Sequence, residues 1–401
     1  MLVGNGAFAF AQWLQLSLIA KYCSLETLGL FTLTLGVISP IYLFFGLQLR
    51  TLIVTNIRPE VSFNVYLKLR IYTSILAFLF TLLLALVISD FSILPFFILL
   101  SFQKILEGFS ELFNSIQQHK ERMDILARSM LLKAAAIIFS ILLGLLVFNS
   151  LFIAFFFIIL IYISIIYFND YKVYRKDATT GISFGVSRKV LLSVGRTALP
   201  LGIVLLVVSL NANISKYFIE YFAGTGIQAI YSSITYILVI GLFVVDSLGQ
   251  TFVPRISKYY FNKNYPSFIK IVCVFLLSSI TIGLSLFLLS FFFGSEILQL
   301  LFNSKIASYN IFFTKYMLVS LLVFVASSLG FTLTAMGEFK IQPYINIFIL
   351  LLNVVLSFFL IKYFLLDGII IVLGICFFTQ IIITGHFIIK AILKNLRTAQ
   401  S

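Results

Sequence analysis

Apolar stretches of about 20 residues, parted by short polar breaks, recur from one end of the chain to the other. A helix rising 1.5 Å per residue needs about 20 such residues to cross a hydrocarbon core of roughly 30 Å. On that ruler the sequence holds twelve spans. They are Leu2–Ala20, Leu28–Leu49, Leu69–Ile88, Ile93–Asn114, Ile125–Phe148, Leu151–Phe168, Val190–Tyr217, Ile227–Gly249, Phe268–Phe293, Tyr309–Thr332, Pro343–Ile361 and Gly368–Ile389. The pattern predicts an all-α integral membrane protein with about 12 transmembrane helices.

The longest polar break, 169–189, divides the spans into six and six. It suggests a six-helix lobe over 1–168, a basic linker over 169–189, a second six-helix lobe over 190–389 and a tail over 390–401. A faint internal echo fits a duplication. Ile19-Ala20-Lys21-Tyr22 ends the first span and Ile214-Ser215-Lys216-Tyr217 ends the seventh. Gln48-Leu49-Arg50 closes the second, and the eighth runs out through Gln250 to Pro254-Arg255. Two halves of six spans keep one orientation and relate through an axis along the membrane normal.

Charge adds direction. Most of the 28 Lys and Arg fall in every second break, including Arg50, Arg58, Lys68 and Arg70 after the second span. Lys120, Arg122, Arg128 and Lys133 follow the fourth, and Arg255, Lys258, Lys263 and Lys270 the eighth. The positive-inside rule then places both termini and the linker in the cytoplasm. The chain is 61% hydrophobic and 10% charged, so it lacks the polar groups to cover a soluble surface. Its net charge of +14 does not point to nucleic acid, because the cations lie between apolar runs. Lipid headgroups and anionic substrates are the better partners. Cys23, Cys273 and Cys376 show no metal-ligand spacing, and neither do His119 and His386. No cofactor is expected.

Charges inside spans are costly, about 2.5–3.5 kcal/mol each even on the lenient insertion scale, so each needs a partner or a wet cavity. The fourth span carries Lys104, Glu107, Glu111, Asn114 and Gln118 on one helical stripe. Lys104 and Glu107 can pair, which leaves Glu111 beside a like charge. The alternative is a structural ion pair between packed helices. In the seventh span Ser209, Asn213, Lys216 and Glu220 share a face, and Pro200 predicts a bend, as Pro40 does in the second. Asn211 and Asn213 lie just inside Lys216 at the outer end of that span, and Asp246 shares a face with Gln250 in the eighth. Arg50, Arg196 and Arg255 stand at the inner ends of spans two, seven and eight. Arginine can grip a phosphate through two parallel hydrogen bonds. The other reading is that these arginines only enforce topology. In the first span Gly4, Gly6, Ala7, Ala9 and Ala11 suit close helix packing, while Asn5, Gln12 and Gln15 could wall a polar cavity.

The stretch Ala198–Lys258, with LNANISKYFIEYFAGTG near its middle, resembles the start of the second half of O-antigen flippases. These are Wzx-type polysaccharide translocases of the multidrug/oligosaccharidyl-lipid/polysaccharide exporter superfamily. Leu14–Asn56, with Gln48-Leu49-Arg50, is similar to their first two helices, and Glu107–Met130 to their fourth and fifth. The resemblance implies two six-helix lobes around a central cavity and alternating access. The cargo it implies is an undecaprenyl-pyrophosphate-linked oligosaccharide, an O-antigen or capsule repeat unit, carried across the bacterial inner membrane. It further implies H+ or Na+ as a coupling ion, and a polysaccharide polymerase and chain-length regulator as partners. Charges within the spans would line the cavity, and their scarcity counts against a strongly acidic glycan. A multidrug exporter of the same superfamily is the alternative. An O-antigen polymerase fits less well, because it needs a large outward loop.

Overall fold

The computed structural model describes residues 2–55, 61–88, 94–177, 185, 187–338 and 340–400. Arg58 and most of the expected linker's second half, 178–184 and 186, lie outside the described residues. The described chain is helical almost throughout. The elements are α1 (Leu2–Tyr22), α2 (Leu25–Gly46), α3 (Leu49–Val54), α4 (Phe63–Ile88), α5 (Leu94–His119), α6 (Met123–Leu142), α7 (Leu151–Ile165) and α8 (Lys172–Asp177). Then come α9 (Arg188–Phe261), α10 (Tyr265–Leu301), α11 (Ser304–Ala307), α12 (Asn310–Ala335) and α13 (Gln342–Gln400). Helix is what an apolar medium demands, since every backbone N–H and C=O must find its partner within the segment. The starts are capped in the ordinary way: Ser24 Oγ accepts from the N–H of Thr27, and Asn264 Oδ1 from that of Ser267.

Eight helices among the described residues are long and apolar enough to cross a membrane. Two of them, α9 and α13, are long enough for two crossings and break once. Gly224 leaves the helical region at φ 81, and Leu365 at φ 49. Each break falls between two of the spans expected from hydropathy. The helix α5 is not among the eight, because Lys104, Glu107 and Glu111 occupy its middle. Pro40 and Pro200 sit inside continuous helix, and the interruption near Pro40 falls seven residues later, at Leu47 and Gln48. Both of those residues are left-handed, which costs about 1–2 kcal/mol each for a residue with a Cβ.

By its internal packing the chain divides into two units, Met1–Leu210 and Asn211–Ser401. That division falls inside α9, later than the 169–189 break. The opening of α9 belongs to the first unit. Val194 and Ala198 are buried with Leu49, Leu112, Phe113 and Tyr174 in one apolar cluster. In the same unit α1 lies against α6 so closely that a Cβ on Gly4 would stand 2.8 Å from the Cα of Ala127. Close packing is thus the role of that small residue. The second unit has its own cluster, with Phe268, Phe275, Leu333, Ile345 and Val372 drawn from α10, α12 and α13, and Met336 from the cap of α12.

Candidate functional site

The first unit contains a cavity of about 660 Å³. Its wall comes from α1, α2, α3, α4, α5, α6 and the opening of α9, and it holds six acidic or basic side chains. Four are cations, Arg50, Arg70, Lys104 and Lys133, and two are carboxylates, Glu107 and Glu111. Full ionisation leaves an excess of two positive charges.

Each charge is placed by a local feature of the chain. The left-handed pair Leu47–Gln48 ends α2 and starts the short α3, which carries Arg50 to the cavity wall. Arg50 is held at Nε, which donates to Gln118 Oε1 at 2.8 Å, and its Nη1 reaches Glu111 Oε1 at 3.5 Å. On α5 the spacing of three and four residues aligns Lys104, Glu107, Glu111 and Asn114 along the cavity. Lys104 Nζ meets Glu107 Oε2 at 2.7 Å, and Gln103 Nε2 donates to the other oxygen at 3.0 Å.

Arg70 and Lys133 differ from these. Arg70 is 6% exposed and Lys133 7%. Among the described residues neither side chain has a hydrogen bond or ion pair, and the buried Nε of Arg70 is left without an acceptor. Arg70 lies between two glycines. A Cβ on Gly46 would come within 3.3 Å of its Nη1, and one on Gly108 within 3.4 Å. The charges that act on it from farther away include Glu111, and those on Lys133 include Asp170, Glu107 and Glu111. A buried cation with no direct partner is expensive, and an anion entering the cavity would offset that cost.

Behind the cavity runs a buried polar network. Asn114 Nδ2 donates to Ser129 Oγ at 3.0 Å and to Ser110 Oγ at 3.3 Å. The Ser110 hydroxyl donates in turn to Asp170, and Asn169 Nδ2 donates to the same carboxylate at 2.9 Å. Asp170 sits in a π-helical turn, Ile166–Tyr171, between α7 and α8. Such turns break helix regularity and recur at functional positions.

The structure therefore brings Arg50, Lys104, Glu107 and Glu111 together. Glu111 is not left beside a like charge alone, because Arg50 reaches it. Arg196 lies elsewhere in the first unit, on a shallower concavity of about 460 Å³ with Lys189, Ser193 and Thr197. Asn211, Asn213, Lys216, Asp246 and Arg255 belong to the second unit and do not line the charged cavity. Asn211 Nδ2 donates to the carbonyl of Asn346 at 3.0 Å, and Lys216 Nζ to Asn213 Oδ1 at 3.0 Å. Asp246 and Arg255 are exposed.

Arg70 and Lys133 are the residues that sequence reasoning missed, having assigned both to cytoplasmic breaks. The helix α4 starts at Phe63, six residues before the expected span, so Arg70 is two turns inside it. Lys133 lies ten residues into α6, about 15 Å along the axis. The available signal was the apolar sequence on both sides of Lys133.

Comparison with known proteins follows the same line. A family model described as "Polysaccharide biosynthesis protein" matches residues 1–260. The capsular polysaccharide biosynthesis protein CapF of Staphylococcus aureus is 26% identical over 390 residues, covering 96% of this chain and 97% of CapF. Among solved structures, an inward-facing multidrug resistance MATE family transporter of the MOP superfamily superposes with a TM-score of 0.78 at 14% identity, covering 96% of each chain. The lipid II flippase MurJ, in an inward closed conformation, superposes with a TM-score of 0.76 at 15% identity, covering 98% of this chain and 90% of MurJ. At such identities these two likenesses speak for the fold alone.

Proposed function

From the premise that this chain belongs to the polysaccharide biosynthesis protein family, we propose that it is a flippase for a lipid-linked oligosaccharide. The cargo is an undecaprenyl-pyrophosphate-linked repeat unit of O-antigen, capsule or a similar surface glycan. The observation that carries this reading is the cavity with two surplus positive charges and two buried cations that have no direct partner among the described residues. A pyrophosphate bridging a lipid and a sugar brings about two negative charges into such a place. Moving it bare through hydrocarbon would cost several kcal/mol, since a single charge there already costs about 2.5–3.5 kcal/mol.

In the mechanism the isoprenoid tail stays in lipid while the pyrophosphate and sugar pass through a polar interior. Arg70 and Lys133 take up the phosphate charge, and Arg50 adds a planar guanidinium for its oxygens. Thr73, Ser74 and Asn114 supply hydrogen-bonding wall for hydroxyl-rich sugar. Alternating access between the two units moves the head without an open pore. Coupling to H+ or Na+ belongs to the same proposal.

The reading includes twelve crossings. They are α1, α2, α4, α5, α6, α7, the two arms of α9, α10, α12 and the two arms of α13. It also includes residence in the bacterial inner membrane with both termini cytoplasmic, and work alongside a polymerase and chain-length regulator. Export of small cationic drugs is the weaker reading, because a cavity with surplus positive charge repels such a cargo.

The test is leaflet-specific labelling of lipid-linked repeat units in deletion, complemented and Arg70→Gln strains. The deletion strain should hold its units in the inner leaflet and lose surface polysaccharide. Complementation should restore both, and the variant should not. Normal outer-leaflet labelling in the deletion strain, with no second flippase encoded, rules the assignment out.

A further inference from the structure

The two ion pairs in the cavity are built differently. Glu107 is fixed twice, by Lys104 at 2.7 Å and by Gln103 at 3.0 Å, and its side chain is 18% exposed. Glu111 has a single long contact, 3.5 Å to Arg50 Nη1, and its side chain is 46% exposed. Arg50 does not depend on Glu111 for its place, because Gln118 holds its Nε at 2.8 Å. Glu111 also acts at longer range on both Arg70 and Lys133. Among the described residues its carboxylate is thus the one anion in the cavity that three cations share and none grips.

We propose that Glu111 is an internal stand-in for the substrate's phosphate, displaced from Arg50 when the anionic headgroup enters and returning when it leaves. This rests on the flippase reading and assigns Glu111 the part of setting affinity and release at that site. The chemistry is an exchange of one oxyanion for another. A phosphate oxygen takes the Nη face of Arg50, while Gln118 keeps the guanidinium from following Glu111 away. The exchange serves transport in two ways. An empty cavity keeps its cations partly neutralised, and a loaded one carries a carboxylate that competes for Arg50. Such competition hastens release and favours headgroups with enough charge to displace a carboxylate. Glu107 cannot serve in this way, because leaving Lys104 would also break its bond with Gln103.

The experiment measures binding of inorganic pyrophosphate to the purified full-length protein in lipid nanodiscs, together with export in cells. Glu111→Gln should bind pyrophosphate about tenfold more tightly than wild type, the scale set by removing a like charge at close range. Export should then show a lower apparent KM and a lower maximal rate. In an Arg50→Gln background the gain from Glu111→Gln should shrink to less than about twofold, because the contested group is gone. Should Glu111→Gln fail to reach the membrane, Glu111→Asp, one methylene farther from Arg50, should tighten binding by about two- to threefold. Wild-type binding that Arg70→Gln abolishes but Glu111→Gln leaves unchanged overturns this inference alone. Persistence of the full gain in the Arg50→Gln background does the same. Absence of pyrophosphate binding in wild type and in Glu111→Gln overturns both the inference and the anionic-headgroup reading beneath it.

Discussion

The two units solve one problem, polar groups inside an apolar body, in opposite ways. The first gathers four cations and two carboxylates around a single cavity and leaves two of the cations without direct partners among the described residues. The second spreads mostly neutral groups through its packing and pairs many of them locally, although Asn211 Oδ1 and the Tyr265 hydroxyl are buried without a partner among the described residues. Ser279 and Ser328 share a hydrogen bond of 2.6 Å between α10 and α12. Ser357 donates to Asn353 at 2.9 Å, and Asn353 donates at 3.4 Å to the carbonyl of Asn211. Its ion pair Lys315–Asp367 is exposed on both sides, so solvent or headgroups screen it. Hydroxyls and amides that close on one another hold helices together and leave less hydrogen-bonding capacity for a ligand. Buried charges left open are poised for a ligand. Under the proposed function, the contrast assigns the anionic headgroup to the first unit.

Substitutions can break that contrast. The largest effect is expected at Arg70. Loss of a buried cation from an anion contact costs about 2–5 kcal/mol, so Arg70→Ala should cut export at least about 30-fold per molecule in the membrane. Lys315→Ala in the second unit should change it less than about twofold. Equal losses, read by outer-leaflet labelling normalised to protein level, would erase the distinction.

Next comes the tight pair. Reversing it, with Lys104→Glu and Glu107→Lys together, keeps the net charge and should restore membrane levels lost in Lys104→Ala. Export should stay roughly tenfold down, because the cation then stands one turn away from where the cargo meets it. Full recovery of export would make the pair purely structural.

A smaller effect is expected for Arg50→Lys, which keeps the topological charge. One ammonium cannot hold Gln118 and present a planar face to a phosphate at the same time. Export should fall about three- to tenfold, a contact loss near 1 kcal/mol, with unchanged protein level. Unchanged export would reduce Arg50 to a topology signal.

The smallest effect tests the other side. Ser279→Ala and Ser328→Ala should each lower thermal stability slightly, and a double-mutant cycle should give a coupling near 0.6 kcal/mol, the average for hydrogen bonds between membrane helices. Export per folded molecule should not change. A selective export defect would place function in the second unit's packing as well.

Much of this was legible beforehand because a bilayer imposes a period and a length on sequence. The helical class followed from apolar runs of crossing length. The α5 stripe followed from spacings of three and four, since a helix turns 100° per residue whatever surrounds it. That Arg50 would reach Gln118 and Glu111 was not legible, because the contact spans about 60 residues and depends on the left-handed turn at Leu47–Gln48. No propensity rule places two residues with a Cβ in that region, and tertiary packing must hold them there. Arg70 and Lys133 mark the same limit. The positive-inside rule counts cations near helix ends and cannot tell one lying in headgroups from one turned into a cavity. The sequence alone determined a helical membrane protein with one polar stripe in its first half, through local geometry and the cost of charge in lipid. Only the tertiary structure decided which cations share the cavity with that stripe, since neighbouring helices, and not neighbours in sequence, supply or withhold their partners.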